Sequence, residues 1–199
     1  VKMIDNVMGE LLNTSGTYKR VVSGNMVVSS NGVTLKDTCI NGDLYITEGV
    51  ENGSVKLTST AVKGRTIIAS GANTIISLTD TLLENEVVVL TKEGEVNLTA
   101  EGITTVNTVI LGRNAVLQEK GLAGSGFNRV YVSGAPEGTE IVLAGSFDEM
   151  MVEAPQAVVS LQDGTINSLV ICKEGMGTFI QAKENAFIES LTVSAKAEI

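Results

Sequence analysis

The sequence predicts an all-β chain folded as a right-handed parallel β-helix, a solenoid of about 20 to 22 residues per coil. Three observations carry this. An apolar pair with one residue between its members recurs at Leu44/Ile46, Thr66/Ile68, Val87/Val89, Thr108/Ile110, Val130/Val132, Met150/Val152, Leu169/Ile171 and Leu191/Val193, at spacings of 19 to 22 residues. A second series runs in step with it: Val33/Leu35, Val55/Leu57, Ile76/Leu78, Val96/Leu98, Ala115/Leu117, Ile141/Leu143 and Val159/Leu161, with Phe179/Gln181 as a decayed last member. Between the pairs there is no 3.6-residue periodicity. A period of two held over three to five residues makes a strand with one inward face. So short a strand cannot bury that face alone, and stacking coil on coil supplies the missing partner.

Taken in order, residues 1–32 fit the repeat badly and are read as an N-terminal cap or first irregular coil. Within them "IDNVMGELLN" is either a short helix, with Ile4, Val7, Met8, Leu11 and Leu12 on one side, or an irregular strand. A first coil left uncapped would expose core and unpaired backbone. Residues 33–199 form the β-helix, about eight coils with a rod length of about 40 Å at roughly 4.8 Å per coil. A third short strand is expected around Ile40, Val62, Leu83, Ile103, Phe147, Ile166 and Ile188. The glycine-rich stretch "QEKGLAGSGFNR" at 118–129 is the expected lateral protrusion. The chain opens Val1-Lys2-Met3 and closes "TVSAKAEI" without a polar cap, which reads as part of a longer protein. Asp at Ile68, Val89 or Ile110 is expected to place an unpaired charge in a continuous core and unfold the middle of the rod.

Composition narrows the chemistry. A hydrophobic fraction of 43% with 4% aromatics, 21 Gly and 2 Pro suits many short strands and tight turns. A net charge of −9 opposes binding to a nucleic acid backbone or an anionic membrane. With no His, the usual general base near neutral pH and the usual imidazole ligand are missing. Cys39 and Cys172 lie outside any CxxC pattern and, beside Ile40 and Ile171, are read as buried free thiols. No apolar run reaches the length of a membrane span.

The positions just before the main strand read Asp43, Arg65, Glu86, Asn107, Arg129, Glu149, Ser168, Ser190. Stacked, they form a polar row of partly alternating charge. It serves either as a track that grips a ligand or as sheet-surface complementarity of a few tenths of a kcal/mol per pair. Tyr45 and Tyr131 stand mid-strand four coils apart, so a ligand-binding face would use Tyr45, Tyr131, Arg65, Arg129, Glu86 and Asp43. The outward row of the second series, Thr34, Lys56, Ser77, Asn97, Val116, Val142 and Ser160, is small or β-branched and could meet an extended polysaccharide. Acids at comparable turns, Asp37 and Asp80, are separated by Ser59, so the carboxylate clusters of polysaccharide-cleaving β-helices are not built. The expectation is no enzyme, no metal and no cofactor.

The segment "INGDLYITEGVENGSVKLTSTAVKGRTII" resembles the β-helical repeats of large surface or secreted proteins of Gram-positive bacteria. The shared shape, V-x-G-D-L-x-I followed by G-x-V-x-L-x-x-x-x-V-x-G, spans Ile40 to Gly64 and continues loosely to about residue 193. The resemblance implies an exported, extracellular or cell-surface protein and a non-catalytic structural or adhesion module. Its partners would be cell-wall or extracellular polysaccharide, or further domains of the same protein. Two alternatives stand beside it: a carbohydrate-binding β-helix, and a polymer-forming scaffold similar to the cytoplasmic bactofilins, whose coils are shorter and more uniform.

Overall fold

The computed structural model describes residues 9–194, and these form a right-handed parallel β-helix in which every strand pairs in parallel with its counterpart one coil on. Three sheets wrap a single apolar core. The first runs from Gly9–Leu12 through Asn25–Val28, Leu44–Ile46, Thr66–Ile68 and Val87–Val89 to Leu191–Val193. Gly16–Tyr18, Val33–Lys36, Ser54–Thr58 and Thr74–Thr79 begin the second. Val21–Val22, Cys39–Ile40, Ala61–Val62 and Leu82–Leu83 begin the third. Towards the C-terminus the corners straighten, until Glu140–Val152 and Val158–Ile171 each pass through all three sheets as one strand. Leu11 and Leu12 lie on a strand paired with Val27 and Val28, not on a helix, while Ile4 to Met8 fall outside the described residues.

The core is built from unbroken inward rows. One comprises Met26, Leu44, Thr66, Val87, Val109, Val130, Met150 and Leu169, and its neighbour Val28, Ile46, Ile68, Val89, Leu111, Val132, Val152 and Ile171. All sixteen are buried. The expected pair Thr108/Ile110 is therefore out by one residue, because Val87 pairs with Val109 and Val89 with Leu111. A one-residue slip exchanges the two faces of a strand, so Thr108 and Ile110 point outward and Ile110 is not a core position.

The offset between coils rises from 21 residues at Ile68 and Val89 to 22 at Thr74 and Val96, so the extra residue enters in the turn before Val96, and the same coil carries a second irregularity. At the corner between the second and third sheets a threonine is buried in successive coils: Thr38, Thr60, Thr81 and Thr104. Their hydroxyls donate into the coil before, Thr60 to the Leu35 carbonyl (3.1 Å), Thr81 to that of Leu57 (3.1 Å) and Thr104 to that of Leu78 (3.3 Å). Asp37, Ser59 and Asp80 precede the first three in left-handed conformation, φ 49 to 50°. Before Thr104 the chain carries one extra residue, Ile103, whose N–H is taken up by Asp80 Oδ1 at 2.9 Å. Ile103 is 72% exposed, so it is Val106 that continues the third inward row from Leu83. Beyond Val106 the row continues through Phe127, and Phe147, Ile166 and Ile188 extend it to the last coils.

Two further expectations are corrected. In the last coil Ile180 and Ala182, not Phe179 and Gln181, pair with the inward Val159 and Leu161, and Phe179 is 60% exposed. Residues 118–129 do not protrude as a loop. The strand Ala115–Leu122 pairs across to Gly102, absorbs Gly121 as a bulge and leads into Gly126–Val132. An inserted residue costs least when the ladder can close on either side of it.

Glu119 braces this widened region. Its carboxylate accepts the Phe127 N–H of its own coil on Oε1 (2.9 Å) and the Ser146 N–H of the next coil on Oε2 (2.8 Å), tying two coils together. It fits only because glycine stands at 126 and 145: a Cβ at 126 would collide with Oε1, and one at 145 would lie 2.5 Å from Oε2. Burial pushes the Glu119 carboxyl above the usual range and Asp148 adds a little, against the two N–H bonds that lower it. Glu119→Gln puts an amide NH2 against one of those N–H donors and should cost about 1–3 kcal/mol. Since the folded state holds the Glu119 proton more tightly than the unfolded chain, that group's contribution is fullest below the ordinary glutamate pKa and falls as pH rises through the raised value. The stability gap between wild type and Glu119→Gln, from urea melts, should therefore be widest in acid and narrow with rising pH; a gap that widens instead refutes the assignment.

Candidate functional site

The outward side of the first sheet gathers the residues singled out in the sequence. Alternation turns the middle residue of each strand to the surface, so parallel pairing stacks Leu11, Val27, Tyr45, Ile67, Val88, Ile110, Tyr131, Met151 and Val170 into one outward row. Ile110 fills the place between Val88 and Tyr131. Beside it runs the polar row Asp43, Arg65, Glu86, Thr108, Arg129, Glu149 and Ser168, where Thr108 occupies the position expected for Asn107. Asn107 sits instead at the corner, its amide donating to the Glu84 carbonyl (3.0 Å) and accepting from Asn128 (3.5 Å).

Of the six candidate residues, three come together. Tyr45 donates its hydroxyl to Asp43 Oδ2 (3.0 Å), Arg65 Nη2 approaches the same oxygen at 3.7 Å, and the Arg65 N–H donates to Asp43 Oδ1 (2.8 Å). Burial, reinforced by that hydrogen bond and the Asp43 charge, pushes the Tyr45 phenol above its ordinary value. Deprotonation at neutral pH is thereby disfavoured, so Tyr45 offers a hydroxyl and a ring face and no base. Glu86 follows Arg65 in the row but makes no ion pair with it among the described residues, nor does Arg129 with Glu149. Tyr131 lies four coils from Tyr45, about 19 Å at 4.8 Å per coil. The six therefore form one small cluster, Asp43, Tyr45 and Arg65, and a scattered remainder.

What the sequence reading missed is the apolar continuity of the row between these polar groups. Its signal was present in "VVV" at 87–89, "VIL" at 109–111 and "MMV" at 150–152. A strand that is apolar on both faces is normally one that is covered on both. The second sheet is more mixed: one outward row runs Thr34, Lys56, Ser77, Thr99, Gln118 and Ala144, its neighbour runs Ser54, Ile75, Asn97, Val116, Val142 and Ser160, and the single row expected from Thr34 to Ser160 is split between them.

Other places hold less. A shallow groove at the corner of the second and third sheets is lined by Asp37, Cys39, Ser59, Asp80, Leu82 and Ile103, but Asp37 is paired with Lys19 (3.2 Å) and Asp80 with the Ile103 N–H. Among the described residues no group of three or more His, Cys, Asp and Glu is arranged to hold a metal. Cys39, on a third-sheet strand, and Cys172, just past the strand that ends at Ile171, are free and only partly buried, against the expectation of buried thiols. Burial first, then the Glu153 and Glu174 charges, pushes the Cys172 thiol up, which makes it a poor nucleophile. Among the described residues no helix is long and apolar enough to cross a membrane. No known family, curated protein or solved structure matches this chain.

Proposed function

We propose that this β-helix is a non-catalytic structural or adhesion module of a bacterial surface or secreted protein, working as a spacer that holds other parts of the molecule at a distance. The observation that supports this most is the continuity of the rod. Its inward rows run from Met26 to Leu169 without a break, its corners are held by hydrogen bonds between coils, and its surface is shallow. A body whose every segment is tied to the next transmits length and load. The resemblance of Ile40 to Gly64 to repeats of Gram-positive surface proteins points the same way.

A glycan array carrying bacterial wall and plant polysaccharides, probed with the folded chain with and without calcium, tests the reading. A passive spacer leaves every glycan at background. Reproducible binding at micromolar strength, lost in Tyr45→Ala or Tyr131→Ala, would replace it with a carbohydrate-binding β-helix.

A further inference from the structure

We propose that the outward face of the first sheet is a self-association surface: two copies pack face to face, related by a two-fold axis that runs along the strands and passes over Ile110. The proposal stands on the pairing register and does not rest on the spacer reading.

The composition of the face comes first. Its central row carries no charge over seven consecutive open coils, from Tyr45 to Val170, and ends against the buried Val27. Its charged neighbours are Arg65 and Arg129 and the acids opposed to them, with Tyr45, Tyr131 and Met151 between. Tyr, Met and Arg are enriched at protein interfaces and Lys is depleted, and no Lys stands in either row. Across about 17 Å of strand and about 29 Å of rod, each copy offers on the order of 500 Å2. Two copies would bury about 1,000 Å2, the size of a weak, concentration-dependent dimer.

Charge then chooses the partner and the register. A two-fold axis along the strands keeps the polar row opposite itself but reverses the order of coils. Centred on the Ile110 coil, it sets Arg65 against Glu149 of the second copy and Glu86 against Arg129. Symmetry repeats both pairs, giving four ion pairs around a core of Ile110 on Ile110, Val88 on Tyr131 and Ile67 on Met151. Half a coil to one side, Arg65 would meet Arg129 and Asp43 would meet Glu149. Half a coil to the other, Glu86 would meet Glu149. A full coil towards the N-terminus would set Glu86 against itself. Opposed like charges select against each of these registers. Glu86, Arg129 and Glu149 have no ion pair within the chain among the described residues, so docking breaks none at these positions. The arrangement is isologous and closed, so it stops at two copies. Sheets packed with their strands aligned are the ordinary geometry of sandwiches.

Sedimentation velocity from about 1 to about 200 µM decides it, a span that covers a weak interface of this size. The wild-type chain should move from 20.8 kDa towards twice that mass, and added salt should shift the transition to higher concentration. Arg129→Glu sets a carboxylate against Glu86 of the other copy in both symmetric pairs and should weaken association at least tenfold. Glu86→Arg with Arg129→Glu restores opposite charges and should recover association to within about threefold of wild type. Both positions are solvent-facing, so far-UV dichroism should be unchanged in all variants. A wild-type chain monomeric across the range overturns the proposal. So does a dimer indifferent to Arg129→Glu, or one that the double exchange fails to restore.

Discussion

Leu111→Asp is expected to abolish the cooperative unfolding transition, while Ile110→Asp, one residue earlier, keeps it. Leu111 is fully buried in the row that joins Val89 to Val132, and a carboxylate there has no partner within the core. Such a charge costs more than about 4–5 kcal/mol, the scale of a domain's whole stability. Ile110 points outward and is half-buried, and an aspartate there can turn its carboxylate to water, so the substitution should cost about 1 kcal/mol when melted at low micromolar concentration. Far-UV dichroism against urea separates the two. If Ile110→Asp were the one that unfolds, the pairing of Val89 with Leu111 would be wrong by one residue. Ile68→Asp and Val89→Asp should behave like Leu111→Asp, since both positions are fully buried.

The second large effect belongs to Phe127. Phe127 and Phe147 are the two largest fully buried side chains, and their rings stack with centroids 6.4 Å apart and planes 13° from parallel. Elsewhere the inward row of the third sheet is Val, Ile or Leu, so these rings fill the coil that carries the Gly121 bulge and the coil after it. Phe127→Ala should cost about 3–5 kcal/mol, because neighbours held by ladders on both sides cannot collapse into the space. For a chain of this size that corresponds to a fall in Tm of roughly 6–20 °C. A cycle with Phe147→Leu should return a coupling of about 0.5–1.5 kcal/mol. A loss below about 1 kcal/mol in Phe127→Ala would mean that the rings do not close the core here.

The coil and its period were legible because stacking demands repetition. Inward positions must be apolar in every coil, so the pattern is printed again and again. The six candidate residues were legible as members of two neighbouring outward rows for the same reason. The slips came where a coil departs from the common length. Ile103 looks like a core residue, yet the buried Thr104 takes the corner and drives Ile103 into solvent. Phe179 looks like a rung, yet Ile180 holds the register with Val159. Hydrophobicity alone cannot distinguish an inward residue from an outward one when both are apolar, and that ambiguity hid the row from Ile67 to Val170.

By itself, then, the sequence determined that this chain is a parallel β-helix and which three series of short strands wrap its core, since a two-residue period repeated every 19 to 22 residues has that one way to bury its apolar side. Only the tertiary structure decided which residue of each pair meets its neighbour. Corners absorb or lose single residues through hydrogen bonds such as Asp80 to Ile103 and Glu119 to Phe127 and Ser146. Those bonds lie between positions 8 to 27 residues apart in the chain, so no local reading contains them. Because one residue of slip exchanges inside for outside, the pairing of Val87 with Val109 also decided that Thr108, not Asn107, sits between Glu86 and Arg129, and that Ile110 stands at the centre of an apolar outer face.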